Sequence, residues 1–241
     1  MTGEGWEIIH ARWQDSDPPT ADVIITDPPY SSRTIKNARS LGATVQKTIQ
    51  TFDEVSPAEV IRLLPLSRRW LIVFCELEQL GEYRRLGGSA YVRGGVWIKT
   101  NGAPQFSGDR PAQGAEGIAV LHRAGKKRWN GGGHPLTFLG PVAQKRRLEI
   151  DHDTPKPLWI MREIVRLFSD PGELVWDPYC GSGTTGDAAL KRGRRFVGHE
   201  LQEHYALGCA ARLSRVLSDL GVSHPAAKQA AFSFVPGDAG P

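Results

Sequence analysis

The run Val23-Ile24-Ile25-Thr26, closed by Asp27-Pro28-Pro29-Tyr30, constrains this chain more than any other stretch. Consecutive β-branched residues with no polar alternation read as a strand buried on both faces, as in a parallel sheet covered by helices. A second strand-to-loop signal lies far downstream, Leu174-Val175-Trp176-Asp177-Pro178-Tyr179-Cys180-Gly181-Ser182-Gly183-Thr184-Thr185-Gly186. Both signals end in a carboxylate, at the point where open α/β sheets place their ligands. The prediction is an α/β fold with a doubly wound, mostly parallel sheet.

The remaining pattern agrees with alternating strands and helices. Further strands are expected at Trp6–His10, Trp70–Cys75, Tyr91–Lys99, Gly117–His122 and Phe196–Gly198. Ser56-Pro57-Ala58-Glu59 is a capping box with proline at the first helical position, opening a helix through Leu64. A second helix runs through Leu77, Leu80 and Tyr83. A third is capped by Thr154-Pro155, and others cover Thr184–Lys191 and Gln202–Leu220. Two stretches lack periodicity, 31–52 and 123–150. The residues before 224 form one catalytic domain, and 224–241 is a Pro/Gly/Ala-rich tail expected to be flexible.

Net charge is +4, compatible with nucleic acid, but its placement says more. Segment 31–52 carries four basic residues, Arg33, Lys36, Arg39 and Lys47, and no acid. From 121 to 150 there are seven, Arg123, Lys126, Lys127, Arg128, Lys145, Arg146 and Arg147, against Glu149 alone. Three scattered cysteines argue against a disulfide framework and for a reducing cytoplasm. No metal-ligand spacing, signal segment or membrane-spanning run is evident, so neither a metal nor a membrane is expected.

The tetrapeptide at 27–30 has a chemistry of its own. A nucleobase exocyclic amine is a poor nucleophile, because its lone pair is delocalised into the ring. A site that methylates it offers acceptors to both amine hydrogens and leaves the nitrogen's face open. Asp27 supplies one acceptor, and the Pro28 carbonyl, directed by the constrained Pro29 that follows, supplies another. Tyr30 offers a face for an extruded base. The plain alternative is a strand-ending turn. Asp17-Pro18-Pro19-Thr20 has a similar composition without the strand or the aromatic, and reads as a loop.

At the second signal, small residues permit close approach to a ligand, and helix amides can receive an anionic group. Glu200, after its strand, suits the two hydroxyls of a ribose. Those features alone also fit a nicotinamide oxidoreductase. Asp177 and Lys156 favour a zwitterionic amino acid, the carboxylate for an ammonium and the lysine for a carboxylate, although Lys156 also reads as a surface residue.

Taken together, Asp27–Tyr30, Trp97-Ile98-Lys99-Thr100-Asn101, Glu116, Thr154-Pro155-Lys156-Pro157, Asp177–Thr185 and Gly198-His199-Glu200 resemble the β group of DNA amino-methyltransferases. That resemblance implies a Rossmann-like methyltransferase fold with permuted motif order, Ile8–His10 being the strand beside Val23–Thr26. It implies S-adenosylmethionine as cofactor, double-stranded DNA as substrate, and Asp27, Pro28, Pro29 and Tyr30 at the target amine. Thr154, Pro155, Lys156 and Asp177, Pro178, Tyr179, Cys180, Gly181, Ser182, Gly183, Thr184 and Thr185 would hold the methionine part, and Glu200 the ribose. The family's usual aspartate after the first strand is replaced here by Ala11-Arg12-Trp13, which also leaves open a cofactor-binding module without catalysis.

Adenine is the expected base, with the cytosine exocyclic amine as alternative, since cytosine enzymes more often carry serine at position 27. Arg33, Lys36 and Arg39 in a mobile loop at 31–52, and Lys126, Lys127, Arg128 and Trp129 in a short recognition segment at 123–150, are expected at DNA phosphates. A homodimer and membership of a restriction-modification pair are compatible with this reading.

Overall fold

The computed structural model describes residues 1–29, 54–105, 108–143 and 155–221. Among them a nine-stranded sheet runs in the order β1-β2-β9-β8-β3-β4-β6-β5-β7. Its strands are β1 (Thr2–Gly3), β2 (Trp6–His10), β3 (Ala21–Thr26), β4 (Ser67–Cys75), β5 (Tyr91–Lys99), β6 (Ala115–His122), β7 (Thr137–Gly140), β8 (Leu174–Asp177) and β9 (Arg195–Glu200). All neighbours pair in parallel except β1 with β2 and β6 with both β4 and β5.

Strands β3 and β4 show why the sheet lies between two layers. Val23, Ile25, Trp70, Ile72 and Phe74 face one core; Ala21, Ile24, Leu71, Val73 and Cys75 face the other. With period 2 and both faces apolar, neither face tolerates water. The first core is closed by α3 (Leu158–Phe168), α4 (Thr184–Leu190) and α5 (Glu203–Asp219). The second is closed by α1 (Pro57–Ile61), α2 (Leu80–Gly87) and the short turn at Trp13–Asp15. Each fully buried Val, Ile or Leu contributes on the order of 1.5–3 kcal/mol.

The topology changes hand between β3 and β8. From β3 the chain proceeds to β4 on one side, and from β8 to β9 on the other. The crevice over the carboxyl ends of these two strands is the switch point at which such sheets bind ligands.

Four expectations change. Strand β2 lies beside β9, not β3, because β4 and β8 take both edges of β3. Helix α3 starts at Leu158 with Pro157 at its cap, so Lys156 precedes the helix. The cause is local: the residue before a proline is driven out of the helical region. Glu59 does not complete the capping box in the expected way: Ser56 Oγ accepts from Glu59 N, and the Glu59 carboxylate accepts from Gln14. Finally, the aperiodic stretch 123–150 contains β7, an edge strand only four residues long, too short to show a period.

Candidate active site

Asp27 follows the last residue of β3, and Lys156 enters from the chain just ahead of α3. Lys156 Nζ lies 2.5 Å from Asp27 Oδ2 and 3.2 Å from Glu116 Oε2. Glu116 stands near the start of the antiparallel β6, which brings it to the carboxyl end of the parallel strands. Its other oxygen lies 2.7 Å from Lys99 Nζ, at the end of β5. Phe74 of β4 puts its ring 5.5 Å from Lys156 Nζ, near enough for a cation–π contact. Burial opposes the charge of Lys156, yet Asp27 and Glu116 outweigh it and raise the ammonium above its ordinary value. Burial likewise pushes Glu116 up, but Lys156 and Lys99 hold it below the usual carboxylate range.

Beside them, Pro28 is buried, and the Pro29 carbonyl accepts from Val55 N at 3.0 Å. Tyr30, Thr154, Arg33, Lys36 and Arg39 lie outside the described residues.

Asp177 is 2% exposed, and its partners are internal. Thr26 Oγ1 donates to Oδ1 at 2.8 Å, Thr185 Oγ1 to Oδ2 at 2.6 Å, and Tyr179 N to Oδ1 at 3.1 Å. Burial raises its pKa to about 7 despite these donors. The carboxylate therefore ties β3, β8 and the glycine loop together from beneath. The direct ammonium contact expected of it conflicts with this burial.

The loop is shaped by Gly181 and Gly183, at φ 48° and 76°, the left-handed region that favours glycine. A Cβ at Gly183 would stand 2.4 Å from Cys209 Sγ. Gly181 N donates to Glu200 Oε2 and Gln202 N to Glu200 Oε1, each at 2.9 Å. That carboxylate is thus fixed at the carboxyl end of β9, and burial raises its pKa. Cys180 is buried, with Sγ 4.0 Å from Cys209 Sγ, and its thiol is pushed well up by that neighbour and by burial; it is a wall of the loop rather than a nucleophile.

Two contributors escaped the sequence reading. Arg212 of α5 donates to Ser182 O at 3.2 Å, to Thr184 Oγ1 at 3.1 Å and to Asp187 Oδ2 at 3.1 Å, clamping the loop from behind. Its signal was an arginine three residues after Cys209 on an otherwise apolar helix face. Trp13, in the Ala11-Arg12-Trp13 stretch that replaces the family's aspartate, is buried edge-on against Trp176 and donates through Nε1 to Tyr179 Oη at 3.1 Å. That oxygen lies 3.4 Å from Glu59 Oε1, to which it donates.

Lys126, Lys127, Arg128 and Trp129 are not brought to this site. Because β6 is antiparallel, the chain leaves it at the amino end of the parallel strands. There the four residues line a cleft of about 790 Å³ with Asp22, Arg68, Arg69 and Glu173. Trp129 packs against Phe168 with ring centroids 5.1 Å apart, and Arg128 pairs with Asp170 at 3.1 Å. At about 3.3 Å per residue, Asp22 and Asp27 are roughly 16 Å apart along β3. Lys126–Trp129, expected at DNA phosphates, therefore lie at the opposite end of the strands from Asp27.

The family model described as DNA methylase (N6_N4_Mtase) matches residues 21–210, from the start of β3 into α5. This chain belongs to the DNA methylase family. With Asp27–Tyr30 ahead of the glycine loop, this DNA methylase has the β-group motif order, and the oxidoreductase alternative for the loop falls away. It is 24% identical over 217 residues to the type II methyltransferase M2.DpnII of Streptococcus pneumoniae, covering 78% of this chain and 80% of that protein. Among solved structures it is similar to the M1.HpyAVI–SAM complex, with a TM-score of 0.62, 24% identity, and coverage of 86% of this chain and 100% of that one. It also superposes on the cytosine-N4-specific PvuII DNA methyltransferase at a TM-score of 0.60, with 11% identity and coverage of 89% and 92%. Among the described residues no helix is long and apolar enough to cross a membrane, and no group of three His, Cys, Asp or Glu side chains is placed to hold a metal.

Proposed function

We propose that this DNA methylase transfers a methyl group to the exocyclic amine of adenine in DNA. The observation that carries the reading is the Asp27 carboxylate, held by Lys156 at the topological switch point. A charged acceptor locked at that place serves an amine whose two hydrogens both need acceptors. The Pro28 carbonyl is the second acceptor, and Tyr30 the face on which the extruded base stacks. Asp27 rather than serine at the head of the tetrapeptide favours adenine over cytosine.

S-adenosylmethionine, when bound, supplies an electrophilic methyl group. The residues present fit it. Glu200, fixed by two backbone amides, suits a ribose diol, and the glycine loop from Gly181 to Thr185 admits close approach. Thr154, Pro155, Lys156, Pro178, Tyr179 and Cys180 are assigned to the methionine part of the cofactor. Asp177 acts from below, through the Thr185 hydroxyl and the Tyr179 amide. The chain's own task is to orient the amine, exclude water around it and keep an acceptor beside the proton it releases. Arg33, Lys36 and Arg39 are assigned to phosphates flanking the target base.

Incubation with plasmid DNA and tritiated cofactor, followed by digestion to nucleosides, tests this directly. Label in N6-methyladenine supports the reading. Label in N4-methylcytosine replaces adenine by cytosine while keeping the site, and unlabelled DNA refutes it.

A further inference from the structure

We propose that Glu116 and Lys99 are positioning residues for methyl transfer: with Lys156 they form an alternating four-charge chain that keeps the Asp27 carboxylate charged and aimed at the target amine. The inference rests on the amino-methyltransfer reading of the site, but holds for adenine or cytosine alike.

The chain is Asp27, Lys156, Glu116, Lys99, with closest N···O distances of 2.5, 3.2 and 2.7 Å. Each member comes from a different part of the fold: the end of β3, the approach to α3, β6 and β5. Their side chains are between 11% and 26% exposed, so solvent screens them weakly. Ion pairs at such depth add little to stability, since desolvation offsets the attraction and apolar residues of similar volume do as well. A purely structural link between β5 and β6 would need only Lys99 and Glu116. Instead the second oxygen of Glu116 is directed at the lysine that holds Asp27.

The sign pattern gives the chain its function. Lys156 alone between two carboxylates would leave a net negative charge, and one carboxylate would tend to take up a proton. Lys99 completes neutrality, so both carboxylates stay charged. The other titratable groups around Asp27 are Cys75 on β4, with Glu76 after it, Tyr83 on α2 and Asp177 on β8. Burial pushes the Cys75 thiol to about 12 and the Tyr83 phenol well up, so both are neutral in the working range. Burial raises Asp177 to about 7, and this group is common to all the variants, so differences between them carry the test.

The experiment is the pH profile of single-turnover methylation for wild type, Lys99→Gln, Glu116→Gln and the double variant. Lys99→Gln moves the acid limb up by on the order of one pH unit. Glu116→Gln moves it down, and the double variant returns close to wild type, because Asp27 and Lys156 again form a neutral pair. Lys99→Arg restores the limb, because it returns the positive charge beside Glu116. Limbs that do not move, or that move in the same direction in both single variants, overturn the proposal. Carboxyl-carbon NMR titration of Asp27 and Glu116 in the same four proteins reads the same shifts without relying on activity. If wild type fails to methylate DNA, the amino-methyltransfer reading is lost, and unshifted carboxyl titrations would separately refute the charge chain.

Discussion

Lys156 Nζ and Asp27 Oδ2 stand 2.5 Å apart although 129 residues of sequence separate them. The pairing joins the end of β3 to the residue that Pro157 keeps out of α3. It turns a strand-ending carboxylate into a fixed acceptor, because the ammonium takes one oxygen and limits rotation of the group. An isolated Asp-Pro-Pro turn has no such restraint.

Asp27→Ala removes that acceptor while leaving Lys156 paired with Glu116, so the fold is expected to survive. Losing one preorganised polar partner at a reacting centre costs roughly 10²–10³ in turnover. Single-turnover methylation of plasmid DNA measures it, with the cofactor's KM expected within about threefold of wild type. Turnover equal to wild type would remove Asp27 from the mechanism.

Asp177 and His199 pull stability in opposite directions with pH. His199 is buried with Nδ1 accepting from Trp176 Nε1 and Nε2 beside Ser16 Oγ, and burial lowers its pKa to about 4. A histidine held neutral in the fold contributes stability that is present above pH 6.5 and lost as pH falls toward about 4. Asp177, raised to about 7, is the reverse: its contribution is present below its unfolded value of 3.8 and lost as pH rises through about 7. Between about pH 4 and 6.5 the two slopes partly cancel in the native protein. Thermal melts should therefore show Asp177→Asn gaining stability as pH rises over that window, and His199→Gln losing it. Parallel curves for the two variants would contradict the linkage.

The parts of this site that were legible in the sequence are those set by local chemistry. Asp27, the glycine loop and Glu200 each follow a strand whose apolar run is visible, and all three lie at carboxyl strand ends. What was not legible depends on pairing across the sheet. Nothing local to Trp6–His10 says that it lies beside β9, and β7 is too short to carry a period. The partners of Lys156 lie 129 and 40 residues away, Asp27 at the end of β3 and Glu116 brought there by the antiparallel course of β6. The same strand direction sends Lys126–Trp129 to the far end of the sheet, which a charge count cannot reveal.

Gly183 is a loop position that does not readily accept a side chain. Its φ is 76°, and an added Cβ would meet Cys209 Sγ at 2.4 Å. Left-handed backbone costs an L-residue about 1–2 kcal/mol, and overpacking adds about 1–3 kcal/mol. Gly183→Ala is expected to lower the melting temperature and weaken cofactor binding at least tenfold by calorimetry. Adding Cys209→Ala should recover the packing share but not the backbone share. Full recovery would mean that backbone strain is absent.

The basic residues at the amino end of the sheet give the last prediction. Lys126 and Lys127 are exposed, but they share their cleft with Asp22 and Glu173 and lie at the opposite end of the strands from Asp27. A residue neutralising one phosphate contributes about 0.9 to the slope of log affinity against log salt. Replacing both lysines with alanine is therefore expected to leave that slope within about 0.5 of wild type, and kcat/KM within twofold, in anisotropy and methylation assays. A slope reduced by about 1.8 would show that the duplex wraps past the sheet edge to this cleft. Arg33→Ala should behave differently if its assignment to flanking phosphates holds, reducing the slope by about 0.9 under the same conditions.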